Sequence, residues 1–190
     1  ESRSTGPGAS AGKESRAGGA GADAVESWRG AFLLAPYLRD TFVACGVLSE
    51  TFETAVTWDR FEELHATVIE TARRVVGEVS GAAPEGRGAA RISCRFTHVY
   101  PDGPAPYFSF HALGDPKRLL EQCWAIKTAA SDLLNSLGGT ITHHHAVGRD
   151  HRRWYDRQRP DLFASAMQAA KKTLDPKGLL NPGVLFDPLP

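Results

Sequence analysis

The fold follows from the stretch RISCRFTHVYPDGPAPYFSFHAL, residues 91–113. Two runs with alternating side-chain character flank the turn sequence PDGP at 101–104, which predicts a β-hairpin. Side chains alternate along a strand, so Phe108 and Phe110 share one face and Tyr107 lies on the other. We expect the Phe face to pack on helices and the Tyr107 face to point away from them.

The segments around the hairpin have their own periodicities. Apolar residues recur every three or four positions in several segments, which predicts helices, while β-branched alternation predicts strands. Working along the chain, we predict a helix with one buried face at 28–43, a strand at 50–57, helices at 59–79 and 115–137, a strand at 140–145, a helical turn at 151–155 and a helix at 161–174. This order predicts an α+β fold, an antiparallel sheet with helices packed on one face, followed by a C-terminal helical segment.

Composition limits the classes of partner. The 22 Lys plus Arg balance the 22 Asp plus Glu, which argues against a nucleic-acid binder. The apolar runs are far shorter than the roughly 20 residues that a membrane-spanning helix needs. Residues 1–27 are rich in Gly, Ser and Ala, so we expect them to be disordered and the folded domain to cover 28–190. Three cysteines without metal-site spacing suggest reduced, buried thiols.

The most unusual segment is GGTITHHHAVGRD, residues 138–150. On a strand, His143 and His145 would point to one side and His144 to the other. Histidine is the usual proton-transfer residue near neutral pH, although three exposed histidines without a role are the plain alternative. A metal site would need a third ligand at a spacing that the sequence does not specify, so we expect none.

Two further residues could carry chemistry. Tyr107 could donate or accept a proton, but tyrosine on a strand is more often simply a good strand former. Arg39 lies on a largely apolar helix and would suit a phosphate or carboxylate, or else pair with Asp40. The chain contains none of the short nucleotide-binding or nucleophile motifs GxGxxG, P-loop, GxSxG or CxxC.

Five segments together resemble the C-terminal cap domain of flavin-linked oxidases of the vanillyl-alcohol oxidase type, and within that family the alkyldihydroxyacetonephosphate synthases of ether-lipid synthesis. They are YLRD at 37–40, SETFETAVTWDR at 49–60, SCRFTHVYPDGPAPYF at 93–108, GGTITHHHAVGRD at 138–150 and LLNPGVL at 179–185. Their order and spacing are kept from about residue 28 to the end. One departure is Ala146, which stands where the eukaryotic enzymes have glycine.

The resemblance implies a cofactor, FAD, and a set of site residues. Tyr107 would be the active-site tyrosine that handles a proton, and the catalytic histidines would be His143, His144 and His145. Arg39 would bind the substrate, through its phosphate. Asn181 would belong to the family's functional C-terminal segment and could contact the cofactor. The FAD-binding domain should precede the cap domain and is not expected within this chain.

The implied reaction replaces the acyl chain of acyl-dihydroxyacetonephosphate by a fatty alcohol, through a covalent adduct with flavin N5 and without net redox change. The substrate would be lipid-like and phosphorylated, and contact with a membrane surface would fit it. The expected location is the cytoplasm or a membrane surface in a bacterium, and the peroxisome in a eukaryote. The alternatives are an FAD-linked oxidase or dehydrogenase of another hydroxy acid, and a non-catalytic interaction or metal-binding module.

Overall fold

A computed structural model describes residues 17–83, 85–86 and 88–187, with side chains from residue 23 onward. The chain divides into two compact units, the first ending at Asp40 and the second beginning at Thr41. The elements in chain order are α1 (Ala17–Ala44), β1 (Val47–Glu53), α2 (Trp58–Ser80), β2 (Arg91–Val99), β3 (Pro104–Leu113), α3 (Leu119–Ser136), α4 (Arg152–Gln158) and α5 (Asp161–Leu174).

The sheet has three antiparallel strands in the order β1-β3-β2. The hairpin predicted around residues 101–104 is confirmed as β2 and β3, and its turn is closed by the Tyr100 amide donating to the Gly103 carbonyl over 3.0 Å. Strand β1 pairs with the other edge of β3, so that Phe52 lies opposite Phe108. These pairings fix which side chains share each face of the sheet.

Helices α2 and α3 cover one face of the sheet, and the core lies between these layers. Phe108 and Phe110 are fully buried on that face, as the sequence predicted. They pack with apolar residues of the two helices, including Leu64, Val68 and Ile126. The resulting two-layer α+β arrangement confirms the predicted fold class. The other side of the sheet, which carries Tyr107, we call the open face.

A β-bulge in β2 changes which residues reach the open face. The pairing with β3 shifts register between Phe96 and His98, and after the shift His98 lies opposite Ala105. One extra residue in a strand reverses the alternation of the side chains that follow it. His98 therefore joins Tyr107 on the open face instead of pointing toward the helices.

The strand predicted at 140–145 is absent from the structure of those residues, which form an irregular loop. Its first residue, Thr140, exchanges hydrogen bonds with Thr54 and Ala55 just beyond β1. After it, the backbone N–H groups of the three histidines turn to the carboxylate of Glu53 instead of a neighbouring strand. The prediction was wrong because a side chain distant in sequence takes the place of a sheet partner.

Helix α1 bears on two further predictions. It begins at Ala17, within the segment 1–27 for which the sequence predicts disorder; that disorder stays a prediction, and residues 1–16 lie outside the described residues. Its large apolar side chains, such as Trp28 and Phe32, are exposed rather than buried. In the described part of the first unit, α1 is the single element and has no partner there to pack on.

Two smaller points concern the thiols and the membrane. Cys45 is exposed and Cys94 and Cys123 are partly buried, and all three are free, so the expected burial is wrong for Cys45. Burial raises the pKa of the Cys94 thiol to about 11. In the part of the chain that the structure describes, no helix is both long and apolar enough to cross a bilayer.

Candidate functional site

Glu53 organises the site from the last position of β1. It lies on the open face opposite Tyr107, yet only 2% of its surface is exposed. Its Oε1 atom accepts hydrogen bonds from the backbone N–H groups of His143 (2.9 Å), His144 and His145 (2.6 Å). Three consecutive amides that converge on one carboxylate oxygen fix the path of the loop, because charge-assisted hydrogen bonds are the strong ones.

The charge of Glu53 is held in place by the same contacts. Burial on its own would raise the pKa of this carboxyl, but the amides of His144 and His145 and the proximity of the His145 ring hold the pKa below its usual value. Its second oxygen, Oε2, is buried and has no hydrogen-bond partner. Oε2 lies 3.9 Å from His144 Nδ1 and 4.0 Å from His145 Nε2. A buried negative charge therefore faces two of the three histidines.

Tyr107 stands beside Glu53 in the middle of the open face. The ring of His145 meets the Tyr107 ring edge-on, with centroids 5.2 Å apart and planes at 89°. From the neighbouring strand, the guanidinium of Arg95 lies 4.5 Å from the centre of the Tyr107 ring. The structure thus brings Tyr107 and His145 together and adds a cation to the pair.

His143 and His144 form a second group with His98. The Nδ1 atoms of His143 and His144 are 2.9 Å apart, and the centroids of the His98 and His144 rings are separated by 4.3 Å. The predicted alternation, with His143 and His145 on one side, is wrong because this segment is a loop and not a strand. The three histidines instead divide into the His145–Tyr107 pair and a cluster of His98, His143 and His144.

The ionisation of the histidines follows from their surroundings. Burial lowers the pKa of His145, although the Glu53 charge acts in the opposite direction. Burial and the neighbouring His144 lower the pKa of His143. Both side chains are therefore mainly neutral imidazoles near neutral pH, able to accept a proton at one nitrogen and donate from the other.

The loop is supported from behind by α3 and α4. Gly138 adopts a left-handed φ of 70° at the end of α3, and a Cβ on Gly139 would meet Thr54 Oγ1 at 2.6 Å, so glycine allows the chain to approach β1. Gln158 of α4 donates to the Gly139 carbonyl (2.7 Å) and accepts from the Ile141 amide (2.9 Å). His151 is hydrogen-bonded to the Ala146 carbonyl (3.0 Å). The histidines thus stand on a fixed backbone.

Arg39 and Asn181 lie on other elements of the chain than the strands and the loop that form this cluster. Arg39 lies on α1 within the first unit, and its substrate role stays a prediction. Asn181 adopts a left-handed φ of 45° in a turn that its carbonyl closes by accepting from the Val184 amide. The neighbouring Pro182 carbonyl accepts from Arg149 over 3.1 Å, which connects the C-terminal segment to the end of the histidine loop.

Sequence reasoning missed Glu53, Arg95 and His98 as members of the site. Glu53 lies beside Tyr107 only through the pairing of β1 with β3, which the hairpin of β2 and β3 does not predict. His98 had no usable signal, since the bulge that brings it to this face depends on strand pairing. All three lie inside segments that were already recognised as motifs.

Residues 9–185 match the protein family described as FAD linked oxidases, C-terminal domain. The chain belongs to this family. The match covers β1 to α5, and with them every strand and loop that contributes to the open face. The family's C-terminal domain is the cap domain that the sequence resemblance indicated, so that prediction is confirmed.

Curated relatives and solved structures agree with this assignment. The chain is 35% identical over 153 residues to alkyldihydroxyacetonephosphate synthase of Caenorhabditis elegans, and 31% identical over 151 residues to that of Trypanosoma brucei brucei; each match covers 80% of this chain. It spans only about a quarter of the length of those relatives, 25% and 24%. A solved structure of alkyldihydroxyacetonephosphate synthase superposes with a TM-score of 0.52 at 18% identity, covering 80% of this chain and 22% of that one, which supports the fold.

Proposed function

We propose that the chain is the substrate-facing cap part of an FAD-dependent enzyme that exchanges the acyl chain of acyl-dihydroxyacetonephosphate for a fatty alcohol. The observation that carries the proposal is the convergence of Tyr107, His145 and Arg95 on the open face of the sheet. The reaction class is taken from the names of the synthase relatives. That reaction implies a lipid-like phosphorylated substrate.

The side chains on the open face fit one edge of a flavin and its substrate, and not a whole flavin site. A phenol, an imidazole and a guanidinium provide donors and acceptors for polar ring edges and for carbonyl or phosphate oxygens. The sequence offers no glycine-rich loop for the diphosphate of FAD. When bound, FAD supplies the electron-accepting ring on which the exchange depends.

Within this proposal each residue has a separate role. Tyr107 holds or transfers a proton at its hydroxyl, and the neutral His145 beside it takes up or returns one. Arg95 provides positive charge next to the phenol. Glu53 is a positioning residue, because it acts through the amides and the imidazole rings of the histidine loop. Arg39 binds the phosphate of the substrate.

The test uses the polypeptide that contains this chain together with an FAD-binding domain. Mass spectrometry should show alkyl-for-acyl exchange without reduction of an electron acceptor. Tyr107→Phe keeps the ring packed against His145 and removes one proton, so kcat should fall by about 100-fold or more, the usual scale for a positioned acid or base. Arg39→Lys keeps the charge but loses the bidentate fork, and should chiefly raise KM.

Tyr155→Phe on α4 is the matched control, because Tyr155 lies outside the open face and its loss should leave kcat unchanged. Acceptor reduction without alkyl exchange would show an oxidase or dehydrogenase instead. Wild-type turnover by Tyr107→Phe would remove that residue from the mechanism.

A further inference from the structure

Three imidazoles converge at one end of the open face. His98 comes from β2, and His143 and His144 come from the loop; one ring nitrogen of each can be chosen so that all three lie within 4.8 Å of one another. The centroids of the His143 and His144 rings are 4.0 Å apart. A tetrahedral zinc site with Zn–N bonds near 2.0–2.1 Å places its nitrogens roughly 3.4 Å apart. Small side-chain rotations therefore suffice to bring these nitrogens to ligand spacing.

The backbone that carries the three rings is held by contacts independent of any bound ion. The bulge at Phe96/His98 turns His98 onto this face, and Glu53 Oε1 fixes the amides of His143 and His144. Preorganised ligands on a fixed backbone are what a cation site requires.

Two polar contacts favour a cation at this place. Tyr100 Oη lies 3.2 Å from His143 Nε2, so Nε2 can donate to the phenol and leave Nδ1 free as a ligand. Glu53 Oε2, buried and without a hydrogen-bond partner, places negative charge 3.9 Å from His144 Nδ1. A bound cation would take the place of the hydrogen that lies between the Nδ1 atoms of His143 and His144, which are 2.9 Å apart, and His144 would then carry its ring proton on Nε2 instead.

We propose that His98, His143 and His144 form a binding site for one late first-row divalent cation, with Zn²⁺ as the expected occupant. Imidazole donors select zinc, copper or nickel over Mg²⁺ and Ca²⁺, which prefer oxygen ligands. Three protein ligands leave the fourth position open, and the exposure of His98 and His144 makes it accessible to water or to an oxygen atom of a substrate. The proposal does not depend on the exchange reaction.

The experiment measures cation binding by the chelator-treated 190-residue chain, without flavin. Titration with ZnCl₂ in a calorimeter should give saturable binding of one Zn²⁺ per chain, and MgCl₂ should give none. His98→Asn should weaken Zn²⁺ binding by about tenfold or more, since even outer-shell partners of metal ligands are worth 10–100-fold. His65→Asn on α2 is the matched control and should bind Zn²⁺ as the wild type does.

If His98→Asn does not fold, a second measurement on the wild-type chain tests the proposal. Co²⁺ bound to the wild-type chain should give the strong visible absorption of a tetrahedral site and should broaden the imidazole NMR signals of His98, His143 and His144. Absence of saturable Zn²⁺ binding, unchanged affinity in folded His98→Asn, or broadening confined to other histidines would each overturn the proposal.

Discussion

At the scale of single residues, Ala146 stands out because it adopts a backbone φ of 58° directly after the three histidines. The left-handed region costs a residue with a Cβ roughly 1–2 kcal/mol, whereas glycine enters it freely. The loop bears this strain at a position where glycine would relieve it.

We therefore predict that Ala146→Gly stabilises the chain. The relief of strain should exceed the larger entropy that glycine loses on folding, for a net gain of about 0.5–1 kcal/mol in the free energy of unfolding. Urea denaturation followed by circular dichroism measures the change. Gly148→Ala is the opposite substitution in the same loop, at a φ of 55°, and should destabilise by about 1 kcal/mol. If both variants unfolded with the same free energy as the wild type, Ala146 would not be strained.

Some residues of the site could be predicted and others could not, for reasons visible at this scale. Tyr107 was placed on the open face because strand alternation is a local property of the chain. His98 was not, since a one-residue bulge depends on how β2 pairs with β3. The grouping of the three adjacent histidines was wrong for a similar reason, because a carboxylate about ninety positions earlier determines their backbone path.

At the scale of elements, the loop at 140–151 is attached to β1 chiefly through one carboxylate. We predict that Glu53→Ala speeds hydrogen exchange of the His143, His144 and His145 amides by about ten- to a hundredfold, because hydrogen bonds to a charged group are worth about 1.5–3 kcal/mol. Mass spectrometry or NMR of the exchanging chain measures the effect. Glu53→Gln, which keeps one acceptor oxygen, should restore part of the protection.

Glu78→Ala on α2 provides the control, since the Glu78 carboxylate is paired with Arg74 on the surface of the same helix and its loss should leave the exchange of these amides unchanged. Protection that survives in Glu53→Ala would show that the loop is held by Thr140 and α4 alone.

A second carboxylate, Asp175, fixes the turn after α5. It is paired with Lys171 and accepts from the amides of Leu180 (2.9 Å) and Leu179 (3.0 Å). The hydrogen bond from Lys171 and those amides lower the pKa of Asp175 below its usual value. A carboxyl with a lowered folded-state pKa stabilises the fold above its unfolded-state pKa, and this contribution is lost as the pH falls through the folded-state pKa.

Asp175→Asn should therefore lower the urea midpoint between pH 5 and 7, and its difference from the wild type should shrink below about pH 4, where an unfolded aspartate becomes protonated. Urea titrations across this range test the prediction. A difference that stays constant down to pH 3 would show that the effect of the substitution does not come from the charge.

The helices and the hairpin were predictable because their signals lie within each element. The helix predicted at 59–79 is α2, Trp58–Ser80, and the hairpin agrees with β2 and β3. The helix predicted at 115–137 starts later, at Leu119, because Asp115 accepts from the Lys117 amide and closes a turn before the helix begins. The strand predicted at 140–145 shows the limit of such reasoning, because residues with a strand-like composition form a loop there.

At the scale of the whole second unit, the two faces of the sheet carry different kinds of residue. The face toward α2 and α3 carries the apolar core, and the open face carries the ionisable groups that we connect with function. The family match extends over both faces, while the roles proposed for Tyr107 and His145 and the proposed cation site concern only the open one. Substitutions on the open face can therefore change the chemistry of the site with little effect on the packing of the apolar core.

The contact between Glu53 and the histidine amides has a consequence for the order of folding. It joins residues that are 90 to 92 positions apart, so it can form only after the intervening strands and α3 have brought these ends together. We expect the histidine loop to close last during folding, after the sheet beneath it is complete.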